Sequence, residues 1–357
     1  MKQHSTLTLG EIYLQDESFA AINGTLPEIY RVIDEVFVHH WDELIFTGCG
    51  SSYYLAQTAA FAFSSYTGIP AKSVPCSELY FFPEAFVGKG RKILVLPITR
   101  KSYTTEVVMA VTRMRSFDGV KSLSITCDPD SSKYNDYMII SPRAAEDSVV
   151  MTRSFTGMVY LTVILALRVA GRLQELEKLT EGYAEMAAAL LLVMDSLSRR
   201  IVSENPDLSL FVVLGQGVNY GIANECMNKM KEMGLASSEA YHSLEYRHGP
   251  MSLVDCNTLI IMLGNDASIQ YDVQLMEQMK GLGAVTLAIG ENASLNFPFC
   301  QYILNLDYRR NSLEYSAVIG FIGQFMGLYI AERKGLDADH PRHLSQAIVI
   351  GKRSGMA

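Results

Sequence analysis

The stretch LIFTGCGSSYYLAQTAAF, Leu44 to Phe61, is an apolar run of strand length that ends in Gly48-x-Gly50 and passes directly into a helical pattern. An apolar run without alternation marks a strand buried on both faces, and such strands belong to parallel sheets covered by helices. The pattern returns roughly 165 residues later as LFVVLGQGVNYGIANECM, Leu210 to Met227. KILVLPI and KSLSIT follow in the first half, TLIIMLG and AVTLAIG in the second, each with helical periodicity behind it. A duplicated α/β unit is the economical reading. The predicted fold class is α/β: two tandem units, each a parallel sheet flanked by helices in a flavodoxin-like three-layer sandwich. The spacing predicts an N-terminal helical arm over 1–40, a first unit over 41–170, a linking helix over 171–203, a second unit over 204–335 and a tail over 336–357.

Composition narrows the function classes. Of 357 residues, 49% are hydrophobic and 19% charged, which is globular and not disordered composition. The net charge is -8 and no Lys/Arg block occurs, so no nucleic-acid partner is expected. MVYLTVILAL and AEMAAALLLVM are shorter than the roughly 18 to 20 residues of a spanning helix, so these segments are expected in a core or a subunit interface and no membrane partner is expected. The N-terminus lacks the apolar core of a signal peptide, and a cytoplasmic location is expected. Six cysteines form no CxxC pair and no His/Cys cluster; they read as small buried hydrophobes in a reducing compartment, and no metal is expected.

Three stretches carry residues suited to chemistry. In GCGSSYY, Gly48 to Tyr54, the glycines let the backbone turn sharply into a helix whose first N–H groups, with the Ser51 and Ser52 hydroxyls, suit an anion or sugar hydroxyls. A tight turn with serine caps explains the same residues. A dinucleotide fingerprint does not, since there is no third glycine at the required place and no acidic residue ends the next strand until Glu78. No cofactor is expected.

The second stretch, TRKSYTTE from Thr99 to Glu106, places Ser102, Thr104 and Thr105 hydroxyls at a helix N-terminus beside Arg100 and Lys101. Cations are disfavoured at the positive end of a helix unless an anion is also there, which tilts the reading from a plain cap towards a ligand.

The third, NECMNKMKEMGLASSEAYHSLEYRHGPMSL from Asn224 to Leu253, sets Glu225 and Glu232 seven apart on one helical face, with His248 in a turn ended by Gly249-Pro250. A shielded carboxylate can abstract a carbon-bound proton beside a carbonyl, and a histidine can move protons on sugar oxygens. The alternative for Glu232 is a surface residue paired with Lys229 or Lys231, and for His248 a satisfied loop histidine.

With TGCGSSYYLA, SELYFF, SVVMTRSFTGM (148–158), the KMKE-to-RHGP block and DADHPRHLSQAIVI (337–350), the chain resembles the SIS, or sugar isomerase, family over most of its length. The resemblance is to its two-domain form, found in the isomerase half of glucosamine-6-phosphate synthase and in sugar-phosphate isomerases, deaminases and fructosamine-6-phosphate deglycases. It implies that Glu232 is the base shuttling a proton between carbons 1 and 2. It implies too that His248 opens the sugar ring, reaching into a neighbouring subunit's site. Cys49, Gly50, Ser51 and Ser52 would line the sugar pocket, Arg100, Lys101, Ser102 and Thr104 would hold an anion at carbon 6, the tail over 336–357 would contribute to the active site with Gln346 binding substrate, and the protein would be a homodimer or larger homo-oligomer with a shared site.

Three departures from the family's pattern refine this. Gln346 stands where the synthase has a lysine, Met151 where it has a serine, and the sequence holds no glutaminase segment, so ammonia-transferring synthesis is not expected. The family's S-x-S-G-x-T loop is Thr99, Arg100, Lys101, Ser102, Tyr103, Thr104 here, which fills space and adds charge. A carbon-bound sulfonate, with one charge fewer than a phosphate monoester, suits this loop, and family members that isomerise sulfoquinovose to sulfofructose exist. The expected substrate is accordingly a 6-sulfohexose, with a hexose 6-phosphate as alternative. Deglycation or deamination of a 6-phosphorylated amino sugar, and non-catalytic sugar sensing, are the other readings of the same motifs.

Overall fold

The computed structural model describes residues 5–306 and 310–351. Three short helices open the chain: α1 (Thr6–Tyr13), α2 (Gln15–Gly24) and α3 (Leu26–Phe37). The first unit then runs β1 (Glu43–Gly48), α4 (Ser51–Thr67), β2 (Ala71–Pro75), α5 (Cys76–Phe81), β3 (Ile93–Thr99), α6 (Thr105–Arg115), β4 (Val120–Thr126), β5 (Tyr137–Ile140) and α7 (Arg153–Val169). After α8 (Leu173–Thr180) and α9 (Tyr183–Glu204) come β6 (Leu210–Gly215), α10 (Val218–Gly234), β7 (Ser237–Tyr241), β8 (Thr258–Leu263), α11 (Ile269–Gly281), β9 (Val285–Gly290), α12 (Ala293–Asn296) and β10 (Tyr302–Asn305). The chain ends in α13 (Ser312–Ile319), α14 (Phe321–Arg333) and an extended tail.

The two sheets are wholly parallel and repeat one topology, β2-β1-β3-β4-β5 and β7-β6-β8-β9-β10. Central strands β1, β3, β8 and β9 are buried at every residue, as their unbroken apolar runs require. In this order the chain reverses direction of winding beside the first strand of each sheet, so a crevice opens at the carboxyl ends of β1 and β3, and again at those of β6 and β8. The duplication extends to backbone angles. Gly50, capping α4, has φ 55° and ψ -127°; Gly217, capping α10, has φ 58° and ψ -124°, a conformation that only glycine adopts without strain.

Helices α4 and α10 cross between the two sheets and bind the units together. The crossing is close because Gly221 lacks a side chain: a Cβ there would lie 2.3 Å from the Tyr54 carbonyl oxygen and 2.4 Å from Thr58 Oγ1. At the same crossing Asn224 Nδ2 donates to Gln57 Oε1 (3.0 Å). α14 packs on the other side of α10.

Some expectations change. The linking helix over 171–203 is two helices, α8 and α9, broken at Gly182, whose φ of 63° is unsuited to a helix interior. MVYLTVILAL lies in the core on α7, whereas α9 keeps Leu192 and Val193 exposed. The stretch Ser312–Arg333 is long and apolar enough to cross a membrane, but its most apolar 18-residue window is wholly buried inside the protein. The cysteines are unpaired; Cys76, Cys127, Cys226 and Cys300 are buried, Cys49 is half-buried, and Cys256, on a polar turn before β8, is exposed rather than packed inside.

Candidate active site

Lys229 is fully buried between two carboxylates, because α10 is covered by α4 on one side and α14 on the other. A buried ammonium requires charged partners, and the helix supplies them at i-4 and i+3 on its own face. Its Nζ lies 3.2 Å from Glu225 Oε1 and donates to Glu232 Oε2 at 2.5 Å. Asn228 Nδ2 donates to the other oxygen, Glu232 Oε1 (2.9 Å), and to Ser51 Oγ (3.3 Å) at the start of α4. Each oxygen of Glu232 is therefore held by a different donor. Glu232 retains 21% side-chain exposure and is the carboxylate of this cluster open to the crevice at the carboxyl end of β1.

The electrostatics separate the two glutamates. Burial pushes the Glu225 carboxyl up to about 7, with Lys229 pulling it down and Glu232 reinforcing the rise. Burial opposes the Lys229 charge, but the two carboxylates outweigh it and hold the ammonium's pKa above its ordinary value. An oriented, partly exposed carboxylate backed by a fixed cation is suited to taking a proton from carbon.

Of the other turn residues, Ser52 directs its hydroxyl to Met151 Sδ (3.9 Å), and Cys49 lies against Cys76 at the end of β2. The Cys49 thiol is pushed up by its hydrogen bond with Cys76 and by burial. Gly50 forms the turn itself.

The loop from Thr99 to Thr104 is ordered largely by internal bonds. The Thr99 and Thr104 hydroxyls both donate to the Lys101 carbonyl (2.7 and 3.4 Å), and the Ser102 N–H donates to Asp128 Oδ2 (2.9 Å). Arg100 departs from the expected role. Its guanidinium is buried, paired with Glu146 (3.1 Å), and donates to the carbonyls of Ser148, Val149 and Gln346. Glu146 in turn accepts from Thr152 and Ser154. Arg100 is thus a strut joining the loop, the 146–154 segment and the tail, with its charge spent before any anion arrives. Lys101 is half-buried and makes no ion pair among the described residues.

The tail lies across this loop: Ile348 O accepts from the Thr105 N–H (3.1 Å) and the Ile350 N–H donates to Thr105 Oγ1 (3.0 Å). The Gln346 amide faces away, donating to the Asp147 carbonyl (2.5 Å). His248 stands apart in the same chain, exposed after the short turn Glu245–Arg247, with no side-chain hydrogen bond or ion pair among the described residues.

Asn228 and Lys229 join the candidate site, where the sequence placed neither: Asn228 was not singled out, and Lys229 was expected only as a surface partner of Glu232. The available signal was the i-4/i+3 placement of Lys229 between two glutamates, which places all three on one helical face.

The SIS domain family model matches residues 37–168 and 210–330. Among curated relatives, the isomerizing glutamine–fructose-6-phosphate aminotransferase of Chlamydia muridarum is 25% identical over 360 residues, covering 96% of this chain and 58% of that protein. The corresponding Buchnera aphidicola enzyme is 26% identical over 313 residues, covering 85% and 50%. The chain thus spans a little over half the length of these relatives. Among solved structures, glucosamine-6-phosphate deaminase from Thermotoga maritima superposes with a TM-score of 0.78 at 26% identity, covering 97% of this chain and all of that one. Tagatose-6-phosphate ketose/aldose isomerase from Escherichia coli shares the fold, with a TM-score of 0.82 at 22% identity and 98% of each chain covered.

Proposed function

The chain belongs to the SIS domain family, carrying the domain twice, and from that premise we propose that it is a cofactor-free aldose-ketose isomerase acting on a hexose with an anionic group at carbon 6. The observation that carries this reading is the carboxylate of Glu232, held at one oxygen by Lys229 and at the other by Asn228, and open to the crevice.

Glu232 takes the proton from carbon 2 of the open-chain aldose while oxygen 1 gains one, giving a cis-enediol; oxygen 2 then loses its proton and Glu232 returns its own to carbon 1. Lys229, buried beneath, holds the Glu232 carboxylate in place. The Cys49–Ser52 turn holds the chain of the sugar, and Lys101, Ser102 and Thr104 hold the carbon-6 anion. His248 opens the ring. Its exposure, and the lack of a side-chain partner among the described residues, support its donation to the site of a second copy, hence a homodimer. The favoured substrate is a 6-sulfohexose, because a lysine-serine pair replaces the serine-glycine of phosphate loops and the Lys101 ammonium has no ion pair of its own among the described residues. A cytoplasmic location goes with this reading.

A thermal-shift screen of 6-sulfohexoses against hexose 6-phosphates, followed by NMR of the stabilising sugar, tests the proposal. The expected result is stabilisation together with aldose-ketose conversion; a stabilising sugar left unconverted removes the isomerase reading. The likeness to the Thermotoga maritima deaminase favours one second reading, deamination of an amino-sugar 6-phosphate or deglycation of a fructosamine 6-phosphate. Release of amine from those compounds separates it from isomerisation.

A further inference from the structure

We propose that Asp128 is the residue that sets the charge preference of the site at carbon 6, favouring a monoanion over a dianion. The inference rests on the placement of the anion at the Thr99–Thr104 loop proposed above.

A phosphate-binding strand-to-helix corner works by leaving its N–H groups and hydroxyls free for the ligand's oxygens. Here those donors are partly taken by the protein itself. Asp128 follows β4, the strand hydrogen-bonded to β3, with Thr99 paired to Thr126 in register. Its carboxylate reaches sideways onto the neighbouring loop, where Oδ2 accepts from the Ser102 N–H (2.9 Å) and the Ser102 hydroxyl lies beside it. Oδ1 accepts from the Asp130 N–H (3.0 Å), which fixes the carboxylate at the start of the turn Pro129–Lys133. Although partial burial works against its ionisation, the Ser102 and Asp130 donors and the Lys101 charge outweigh that cost, so the acid lies below its usual value and stays anionic near neutrality.

The charges around the loop can then be counted. Arg100 is neutralised by Glu146. Asp130 is paired with Lys133 (2.7 Å) on the outer side of the turn. Glu106, at the start of α6, has a buried Oε2 without a hydrogen-bond partner among the described residues, and its charge acts on Cys49 and Cys76. The cation left to the ligand is Lys101, whose charge already acts on Asp128 without a close ion pair among the described residues. Lys101 and Asp128 offset each other, so every negative charge the ligand brings is repelled by the Asp128 carboxylate, and a dianion is repelled about twice as strongly as a monoanion.

The test is a competition between a 6-sulfohexose and the matching hexose 6-phosphate, measured as dissociation constants on the full chain. In Asp128→Asn, which keeps an oxygen for the Ser102 N–H, affinity for the phosphate should rise relative to the sulfonate by about tenfold. Equal weakening of both ligands, as expected if Asp128 merely caps its turn and steadies the loop, overturns the inference. The wild-type protein gives an independent measurement. The phosphate gains its second charge at pH of about 6 whereas the sulfonate does not titrate, so the phosphate-to-sulfonate affinity ratio should fall as pH rises from about 5 to 8. A rising ratio overturns the proposal even if the variant fails to fold. Binding of neither sugar would remove the assignment of the loop, and this inference with it, whereas binding of both with an unaltered ratio removes the inference alone.

Discussion

At one end of the α4–α10 crossing Ser51 meets Asn228, with Glu225, Lys229 and Glu232 around them; at the other, Val218 meets Thr58, and Phe61 covers Gly217. The two ends are counterparts. Ser51 opens α4 as Val218 opens α10, and in that register Thr58 answers Glu225, Phe61 answers Asn228, Ala62 answers Lys229 and Ser65 answers Glu232. Gln57 and Asn224, bonded to each other at 3.0 Å, correspond as well and mark the local pseudo-twofold axis. A duplicated fold supplies two crevices of the same backbone shape, and side chains then assign them different work. At the apolar end Thr58 Oγ1 donates across the crossing to the Val218 carbonyl (2.7 Å) and Ser65 turns its hydroxyl back to Phe61 O (2.8 Å), so its polar atoms are spent on helix backbone. At the charged end an ion cluster is held in the interior, at a desolvation cost that the apolar end avoids.

Substitution at matched positions breaks this comparison most sharply. Glu232→Gln should reduce incorporation of solvent deuterium at carbons 1 and 2 of the sugar by roughly a thousandfold, within the range for loss of a general base, while Ser65→Ala leaves it unchanged. Equal exchange in the two variants would remove Glu232 as the base. Next in size, Lys229→Met leaves two carboxylates facing each other without their cation and should cost about 3 to 5 kcal/mol in denaturant unfolding. Adding Glu225→Gln should recover part of that loss, and simple additivity of the two changes would show that they do not share one network.

A smaller effect follows from Glu225. Its folded pKa is raised to about 7 from an ordinary value of 4.5, so the folded state holds the proton more tightly than the unfolded chain. The resulting stabilisation is complete below about 4.5 and is lost as pH rises to about 7. Between those limits the melting temperature of the wild type should fall by a few degrees relative to Glu225→Gln, and parallel curves would contradict the buried-acid description. Smallest of all, Phe61→Ala, at a half-exposed site, should cost about 1 kcal/mol or less and leave turnover intact, measured by melting and by the same exchange assay.

The central strands were legible because burial on both faces leaves an unbroken apolar run: ELIFTG, KILVLPI and TLIIMLG each coincide with a strand of the structure. The edge strands were less so. β7, SSEAY, is polar because one of its sides has no strand partner and most of its residues are only partly covered. The single linking helix failed at Gly182, where helical periodicity continues across a break in the backbone. At the site, Glu232 was legible through its motif, and its pairing with Lys229 was foreseen only as a surface contact. Lysine normally lies in solvent, and nothing local in KMKE announces that two other helices close over it. Arg100 was misjudged for the converse reason. Its neighbours in sequence suggest an anion, while its partners, Glu146 and the Gln346 carbonyl, are remote along the chain.

The bare Cα of Gly221 has a consequence beyond packing. Ser51 belongs to one repeat and Glu232 to the other, so the width of the site is a distance between two bodies, and the gauge of that distance is the crossing where Gly221 rests on Tyr54 and Thr58. A methyl group at 221 would wedge the repeats apart and draw Glu232 back from Ser51 without altering either residue. The separation of Glu232 from Ser51 is therefore an inheritable dimension, adjustable at a buried position that neither residue occupies.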